Sequence, residues 1–338
     1  MGSVVNVGVI GLGLRGTMFS RALGHNPRAR LAAVCDVDAA RRERVSAEYG
    51  VPAFAEARDL CAAPGLNAVI VATPDPLHRA AVAAAAERGL AIMVEKPLAT
   101  TLEDAEAMVA AVRRAGVLCQ VAFENRWNPP YIAARQAIER GEIGSVITLN
   151  SRINDRIDVP LGMLSWGARS SPGWFLLSHT VDMARWLSGR EPKRVYAQGQ
   201  KKVLAARGLD TYDSLQALVT FDDGLSAVFE ASWILPETLP MIVDVKYEVI
   251  GSDGALYIDW HDQGLHHVTP AGYRHPIVAG LDVHGRPTGM PIWMLDSFIA
   301  CVSGDTAPLA SIDDGLAAVR VVEAIHRSAD SGTPIDLT

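Results

Sequence analysis

The feature that most constrains the fold is a glycine pattern between an apolar strand and a helix. The run from Val4 to Ile10 is predicted to be a buried strand, and it leads directly into the sequence GLGLRG at residues 11–16. A helical stretch that ends near Gly24 follows. Strand, Gly-x-Gly-x-x-Gly turn and helix in this order are typical of the start of a dinucleotide-binding sheet, whereas the same glycines elsewhere would indicate only a turn.

Each glycine of the pattern has its own predicted role. Gly11 permits the tight turn, Gly13 lets the backbone approach a pyrophosphate, and Gly16 lets the helix pack close to the strand. The helix N-terminus then offers amide N–H groups to the phosphates. Leu12 and Leu14 stand between the glycines and are also predicted to contact the cofactor.

An acidic residue after the second predicted strand indicates which dinucleotide binds. The strand from Leu31 to Cys35 ends in Asp36, where an acid accepts hydrogen bonds from the adenosine ribose hydroxyls. Its charge repels a 2′-phosphate, so the sequence favours NAD over NADP. Arg41 and Arg42 keep the NADP alternative open, because an arginine near this acid can bind that phosphate; otherwise they form a solvated helix face.

Strand–helix alternation continues to residue 123, which predicts an α/β fold with a parallel, doubly wound sheet. Two of its strands, Ala68–Val71 and Ala91–Val94, end in polar loops at 73–78 and 95–97. Ligands of such sheets bind at the carboxyl ends of the strands. The loop residues expected beside the cofactor are Thr73, Pro74, His78, Glu95 and Lys96. For His78, packing at the start of the next helix is an equally good interpretation.

Lys96 is the candidate catalytic group. A lysine at the end of a buried strand, beside a cofactor that is cationic when oxidised, loses its proton more easily than a solvated lysine. It can then deprotonate an alcohol while hydride leaves the carbon. The sequence therefore predicts a dehydrogenase.

Composition excludes several other classes. The 338 residues are 49% hydrophobic and 20% charged, which predicts about two domains. A net charge of −7 disfavours nucleic acid as a partner. No apolar run reaches the roughly 18 residues needed to cross a membrane, and the N-terminus lacks the pattern of a secretory signal. The four cysteines form no CxxC pair, which indicates reduced thiols and a cytoplasmic location.

Four motifs in order resemble the glucose–fructose oxidoreductase / inositol dehydrogenase / MocA (Gfo/Idh/MocA) family. They are GLG at 11–13, TPDPLH at 73–78, EKPLA at 95–99 and NRWNP at 125–129. The resemblance covers nearly the whole chain, and the lysine motif is its most specific part. It implies a Rossmann domain over 1–125 and a C-terminal α/β domain over 126–338 with a large open, mostly antiparallel sheet. It also implies a cis Lys96–Pro97 bond and a C-terminal helix that packs back toward the first domain.

The resemblance further implies NAD(P)-dependent hydride transfer at a secondary alcohol or ketone of a sugar, inositol or glycoside. Lys96 takes the place of the catalytic lysine. His179, in a helical stretch at 174–187, takes the place of a histidine that reaches the substrate hydroxyl, although such a histidine is ordinarily a core residue. Phe175 stands where many relatives have an aspartate.

Three consequences of Phe175 remain open. In the first, Lys96 and His179 suffice for proton transfer, which is the alternative that we favour. In the second, another acid takes the place of the aspartate. In the third, the redox activity on free sugars is weak or lost. The candidate acids are Asp155, Asp158 and Asp182.

Aromatic and arginine side chains suit sugars, whose C–H faces pack on rings while their hydroxyls form hydrogen bonds. Trp127 and Trp166 fit a core between domains equally well. Arg152 and Asn154 alternate on one strand and share a face, which is either the cleft or solvent. The residues predicted to bind substrate are Arg126, Trp127, Arg152, Asn154, Trp166, Phe175, His179 and Asp182.

Two other functions fit the same fold. One is NAD-dependent glycoside cleavage by transient oxidation and elimination, and the other is a non-catalytic nucleotide-sensing regulatory protein. The segment 260–289 is rich in histidine and is either a metal site or a polar hairpin. We expect no metal, because hydride transfer to a nicotinamide with a lysine as the base needs none. The open sheet is expected to pair face to face, which predicts a homodimer or homotetramer.

Overall fold

The computed structural model describes residues 4–277 and 280–337. Within them the chain forms two compact units, 4–127 with 280–316, and 128–277 with 317–337. This grouping differs from the single division at 125/126, because a later segment joins the first unit. Met294, Leu295 and Phe298 of that segment are buried in the same core as the first strand, a long-range contact that local sequence patterns do not reveal.

The first unit is built on six parallel strands in the order β3-β2-β1-β4-β5-β6. The predicted doubly wound sheet is therefore confirmed. Its order reverses between β1 and β4, which is where ligands of such sheets bind. The strands are β1 (Val5–Ile10), β2 (Ala29–Cys35), β3 (Ala53–Phe54), β4 (Ala68–Val71), β5 (Ala91–Val94) and β6 (Cys119–Val121).

Side-chain caps and glycines set the ends of helices in this unit. Asp38 accepts a hydrogen bond from Arg41 N at the start of α2, and Thr101 does so from Asp104 N at the start of α5. α2 and α5 both end at a glycine in the left-handed conformation. The helices are α1 (Leu14–Leu23), α2 (Ala39–Tyr49), α3 (Ala57–Cys61), α4 (His78–Glu87), α5 (Leu102–Ala115), and later α8 (Met290–Val302) and α9 (Ile312–Ser331), of which α9 contributes residues to both units.

The second unit contains a seven-stranded sheet in the order β12-β11-β7-β10-β9-β8-β17. Only the β7–β10 pair is parallel, so the sheet is mostly antiparallel, as the resemblance implies. Its strands are β7 (Val146–Arg156), β8 (Pro192–Gln200), β9 (Ser214–Phe221), β10 (Ser226–Leu235), β11 (Val243–Gly251), β12 (Ala255–Asp259) and β17 (Ile335–Asp336). Short hairpins are β13 (His267–Thr269) with β14 (Gly272–Arg274), and β15 (Asp282–Val283) with β16 (Arg286–Pro287) of the first unit.

Helices of the second unit lie on one face of this sheet. They are α6 (Pro129–Glu139) and α7 (Ser178–Ser188), the latter preceded by a π-helical turn at Gly173–Leu177. Tyr247 of β11 donates a hydrogen bond to the carbonyl of Thr180 in α7 at 3.2 Å, which fixes the side on which α7 packs. None of the helices in the described ranges of either unit has the length and apolarity needed to cross a membrane.

Candidate active site

The glycine loop has the geometry that its predicted roles require. Gly11 has a φ of +89°, which favours glycine. A Cβ on Gly16 would lie 1.7 Å from the Gly11 carbonyl oxygen, so α1 can lie this close to the loop after β1 only because residue 16 has no side chain. A Cβ on Gly13 would meet nothing within 4 Å, so this part of the backbone is open to a ligand. No side chain caps the N-terminus of α1, which leaves its amides for phosphate. The Leu12 side chain is buried and that of Leu14 is exposed.

Asp36 is oriented by two backbone amides. Its Oδ2 accepts a hydrogen bond from Leu12 N at 2.6 Å and its Oδ1 accepts one from Asp38 N at 2.8 Å. A carboxylate has about four acceptor positions, so capacity remains for ribose hydroxyls. Arg42 donates to the Asp36 carbonyl at 2.7 Å, and Arg41 Nε lies 3.5 Å from Asp38. Both arginines thus have partners other than a 2′-phosphate, and the residues present fit NAD.

His78 joins the two loops that follow β4 and β5. It is 1% exposed, its Nδ1 lies 3.0 Å from the Pro97 carbonyl and 3.1 Å from that of Leu98, and its Nε2 lies 3.1 Å from that of Thr73. The structure therefore supports the packing interpretation of His78 over a ligand contact. Pro74 stands in the same loop and its carbonyl accepts from Leu77 N.

Lys96 lies within a cluster of charged side chains. Arg15 Nε donates to Glu95 Oε1 at 2.6 Å, and Arg15 Nη2 forms an ion pair with Glu124 Oε2 at 2.5 Å. Burial lowers the pKa of the Lys96 ammonium below its usual value, while Asp75, Glu95 and Glu124 act in the opposite direction. The Lys96–Pro97 bond is cis, as the resemblance implies.

Three members of this cluster were not predicted as site residues. Arg15 follows β1, Asp75 follows β4 and Glu124 follows β6. Because the carboxyl ends of parallel strands meet at one edge, their position directly after strands was the available signal.

In the second unit, His179 is the second residue of α7 and its side chain is partly exposed. Phe175 stands one turn earlier, and its ring centroid lies 5.8 Å from that of Trp233 at an angle of 54°. This aromatic contact makes the start of α7 apolar at the position where the family resemblance leads us to expect an aspartate.

The three candidate replacement acids differ in environment. Asp158 accepts two hydrogen bonds from Arg156, at 3.0 and 2.6 Å, and these hold the pKa of the carboxyl below its usual value. Asp182 is fully buried, with 0% of its surface exposed, and its substrate contact stays a prediction. Asp155 is buried on the side of the sheet that faces α7, as its alternation with Ser151 requires.

Arg152 and Asn154 lie on the opposite face of the sheet from α7. Ser151 pairs with Tyr247, whose hydroxyl contacts α7, so the even-numbered residues of this strand point away. Arg152 Nε lies 2.8 Å from Asp244, and Asn154 donates to Glu230 at 2.8 Å. Of the two faces that the sequence leaves open, the structure gives them the one without α7. Their role as substrate contacts stays a prediction.

The remaining predicted contacts have mainly structural partners. Arg126 is buried, donates to the Leu309 carbonyl at 2.5 Å and pairs with Asp314 at 3.2 Å, so it ties the turn at Glu124–Trp127 to a later segment. A substrate contact by Arg126 stays a prediction. Trp127 packs against the core of the first unit. The indole N–H of Trp166 is shielded and has no acceptor within the described residues.

Part of the histidine-rich segment forms a hydrogen-bonded cluster. The potential ligand atoms of Asp262, His266 and His275 lie within 4.8 Å of one another. However, the His266 and His275 rings stack with centroids 4.6 Å apart at 7°. The lone pair of an imidazole nitrogen lies in the plane of its ring. The lone pairs of two stacked, parallel rings therefore lie in separate planes and do not point at one metal ion.

The comparisons with known proteins agree with this geometry. Residues 5–123 match the family model described as "Oxidoreductase family, NAD-binding Rossmann fold", and residues 131–257 match "GFO/IDH/MocA C-terminal domain". The fold and the glycine loop thus define a nicotinamide-dependent oxidoreductase whose first unit binds NAD.

Whole-chain similarity then gives the family. The scyllo-inositol 2-dehydrogenase (NAD(+)) of Bacillus subtilis (strain 168) is 31% identical over 341 residues, which cover 98% of this chain and 96% of that protein. The chain belongs to the GFO/IDH/MocA family. Inositol 2-dehydrogenase of Rhizobium meliloti (strain 1021) is 30% identical, with 96% of each chain covered. The crystal structure of aldose-aldose oxidoreductase from Caulobacter crescentus complexed with glycerol superposes with a TM-score of 0.81 at 25% identity, covering 99% of this chain and 100% of that one. These relatives favour an NAD-dependent dehydrogenase over the glycoside-cleaving and regulatory alternatives.

Proposed function

We propose that this NAD-dependent oxidoreductase acts on a secondary hydroxyl of an inositol, related cyclic polyol or sugar. Three relatives carry names that state such substrates, and two of them are inositol dehydrogenases. The observation that carries the proposal is the position of Lys96, at the carboxyl end of β5 with a pKa that burial lowers. A lysine with a lowered pKa is neutral, and so able to accept a proton, at a lower pH than a solvated lysine.

Lys96 acts as the general base in oxidation. Its neutral amine takes the hydroxyl proton while the carbinol C–H bond breaks and the carbonyl forms; in the reverse direction the ammonium returns the proton. NAD, when bound, accepts the hydride. We assign His179 the second role, a hydrogen bond to the reacting hydroxyl, which holds its oxygen in place for Lys96.

Polar atoms in the second unit support a hydroxylated ligand. Several shielded side-chain donors and hydroxyls there have no hydrogen-bond partner within residues 4–277 and 280–337, and a buried polar group without a partner is costly unless a ligand or water satisfies it. These atoms are Ser151 Oγ, Trp166 Nε1, Ser178 Oγ and Trp233 Nε1.

The first test measures NADH formation with a panel of inositols, aldoses and glycosides. For a substrate that responds, Lys96→Ala is expected to lower kcat by roughly a hundredfold or more, because general acid–base catalysis contributes about 10²–10⁴. NAD binding, measured separately, should change little. Lys193→Ala, on an exposed strand of the second unit, is the control and should keep full turnover. Full turnover by Lys96→Ala would refute the assignment.

We also propose a homodimer or homotetramer in the cytoplasm. The sheet face opposite α7 exposes apolar side chains in register, with Tyr196 opposite Leu218 and Leu218 opposite Val228. A contiguous exposed apolar strip is typical of an interface. The four cysteines are buried and not joined in disulfides, which agrees with a reducing compartment.

A further inference from the structure

We propose that Asp75 is the counter-ion of Lys96, a positioning residue that holds the ammonium group in place and sets the pH at which it loses its proton. Asp75 begins the 3₁₀ turn Asp75–Leu77 after β4, and Lys96 follows the neighbouring strand β5. The inference rests on the proposed role of Lys96 as the base, and it adds a second residue to that role.

Burial places the Asp75 carboxylate where it must be compensated. Asp75 is 4% exposed although it is in a loop. A buried carboxylate is stable only when it is paired or hydrogen-bonded, and Lys96 is the basic side chain on the adjacent loop. The prolines on either side of Asp75 restrict the backbone and keep this loop in one conformation.

The other two carboxylates of the cluster already have a cationic partner. Glu95 receives Arg15 Nε at 2.6 Å, and Glu124 lies 2.5 Å from Arg15 Nη2. One guanidinium thus spans two acids with the two branches of its fork. Lys96 is the second cation of this cluster, and its loop follows the strand next to the one that precedes Asp75.

The loops that carry the pair are fastened to each other. His78 lies three residues after Asp75, and its ring nitrogens contact the Thr73 carbonyl on one side and the Pro97 carbonyl on the other. These buried contacts of His78 hold together the two loops that carry Asp75 and Lys96. Among the carboxylates that raise the pKa of Lys96, Asp75 has the largest effect.

This pairing gives the base a carboxylate from its own unit. Burial alone lowers the pKa of Lys96 and so disfavours the ammonium form, which is the acid of the reverse reaction. An adjacent carboxylate offsets part of that effect. Glu95 and Glu124 add smaller contributions, and Arg15 opposes them.

The test titrates Lys96 directly in the full-length chain, with and without NAD. Acetic anhydride reacts with the neutral amine, so the extent of labelling of the Lys96 peptide, read by mass spectrometry between pH 6 and 10, reports its protonation. Asp75→Asn is expected to move the midpoint down by about one to three pH units, because a carboxylate within a few ångströms stabilises the ammonium by that amount. Asp75→Ser removes the same charge and replaces Asp75→Asn if that variant does not fold.

Two controls separate charge from structure. Asp75→Glu keeps the charge, so the labelling midpoint of Lys96 should be close to the wild-type value. Asp59 is an exposed acid on α3 of the same unit, and Asp59→Asn should leave the midpoint unchanged. With a responding substrate, the acidic limb of kcat/KM for NADH formation should shift to lower pH in Asp75→Asn, because oxidation needs the neutral amine.

An unchanged midpoint in the charge-removing variant would overturn the counter-ion assignment, whatever the turnover. A shifted midpoint together with full turnover of Lys96→Ala would keep the assignment of Asp75 and overturn the proposed function instead. The two proposals can therefore fail separately.

Discussion

At the scale of single residues, the nucleotide site works through backbone groups that a few side chains hold in place. Asp36 illustrates this, because its carboxylate binds the amide of Leu12 in the glycine loop and still has acceptor capacity for a ribose. The acid therefore has two functions, shaping the loop and binding the cofactor. Removal of the Asp36 carboxylate should therefore lower the affinity for the dinucleotide more than removal of a group that contacts only the cofactor.

Asp36→Ala is expected to raise the Kd for NAD roughly tenfold to hundredfold. Hydrogen bonds to a charged group contribute about 1.5–3 kcal/mol, and a buried amide loses its acceptor as well. The Kd for NADP should rise less or fall, since the repulsion of a 2′-phosphate is removed. Isothermal titration calorimetry with both cofactors measures this. Asp38→Asn, which keeps an acceptor at the start of α2, is the matched control, and equal NAD affinity in Asp36→Ala would contradict the prediction.

At the scale of elements, the sequence predicts what local patterns determine. The strands Ala68–Val71 and Ala91–Val94 have the predicted bounds, because runs of only four apolar residues are too short for a helix and are followed by polar loops. Asp38 and Thr101 have residue types typical of helix caps and act as caps here, whereas no side-chain cap from Asn128 is found at the start of α6 within the described residues.

What the sequence does not predict depends on contacts between distant elements. Alternation shows that Arg152 and Asn154 share a face, but only the contact from Tyr247 to α7 shows which face it is. Likewise, the apolar side of α8 fits any core, and its membership in the first unit depends on tertiary packing. The charge cluster around Lys96 could be located only once the strand order was known.

The start of the segment that leads into α7 is held by a histidine of α9. His326 Nε2 lies 2.7 Å from Ser171 Oγ, its Nδ1 lies 2.7 Å from the Val322 carbonyl, and its ring stacks on Trp174 at 4.9 Å. Ser171 in turn accepts a hydrogen bond from Trp174 N. Burial lowers the pKa of His326 below its usual 6.5, so this connection requires the neutral ring.

The free energy of unfolding is therefore expected to fall as pH decreases below about 6.5. Below this pH the histidine of the unfolded chain is protonated, whereas His326 of the folded chain stays neutral until the pH falls to its lower pKa. Between these two pKa values the free energy of unfolding rises with pH, and above about 6.5 the contribution of His326 is fully present. The slope from one group is at most about 1.4 kcal/mol per pH unit. Urea unfolding at pH 5.5 and 7.5 measures it. His326→Gln should make the free energy of unfolding depend less on pH. His25 is on the surface, and His25→Gln should leave this pH dependence as in the wild type. An unchanged pH dependence in His326→Gln would contradict the assignment to His326.

At the scale of the whole molecule, the second sheet presents two different surfaces. One face carries α7 and the buried aromatic residues Trp233 and Tyr247. On the other, Tyr196, Leu218 and Val228 form an apolar strip across three strands, beside charged pairs such as Arg152 with Asp244. An apolar strip with a polar surround has the composition of a protein–protein interface, and two copies can use the same patch around a two-fold axis.

Leu218→Glu is expected to convert the assembled protein into monomers. Leu218 is at the centre of the strip and 49% exposed, and burying an unpaired carboxylate between two copies costs several kcal/mol. Sedimentation velocity at micromolar concentration would show the wild-type chain as a dimer or tetramer and the variant as a single copy. Val203→Glu introduces the same charge at an exposed apolar residue outside the sheet and should leave the assembly intact. A monomeric wild-type chain, or an assembled Leu218→Glu, would show that this face is not the interface. Because Leu218 belongs to the second unit and the NAD-binding fold to the first, monomeric Leu218→Glu should still bind NAD with wild-type affinity.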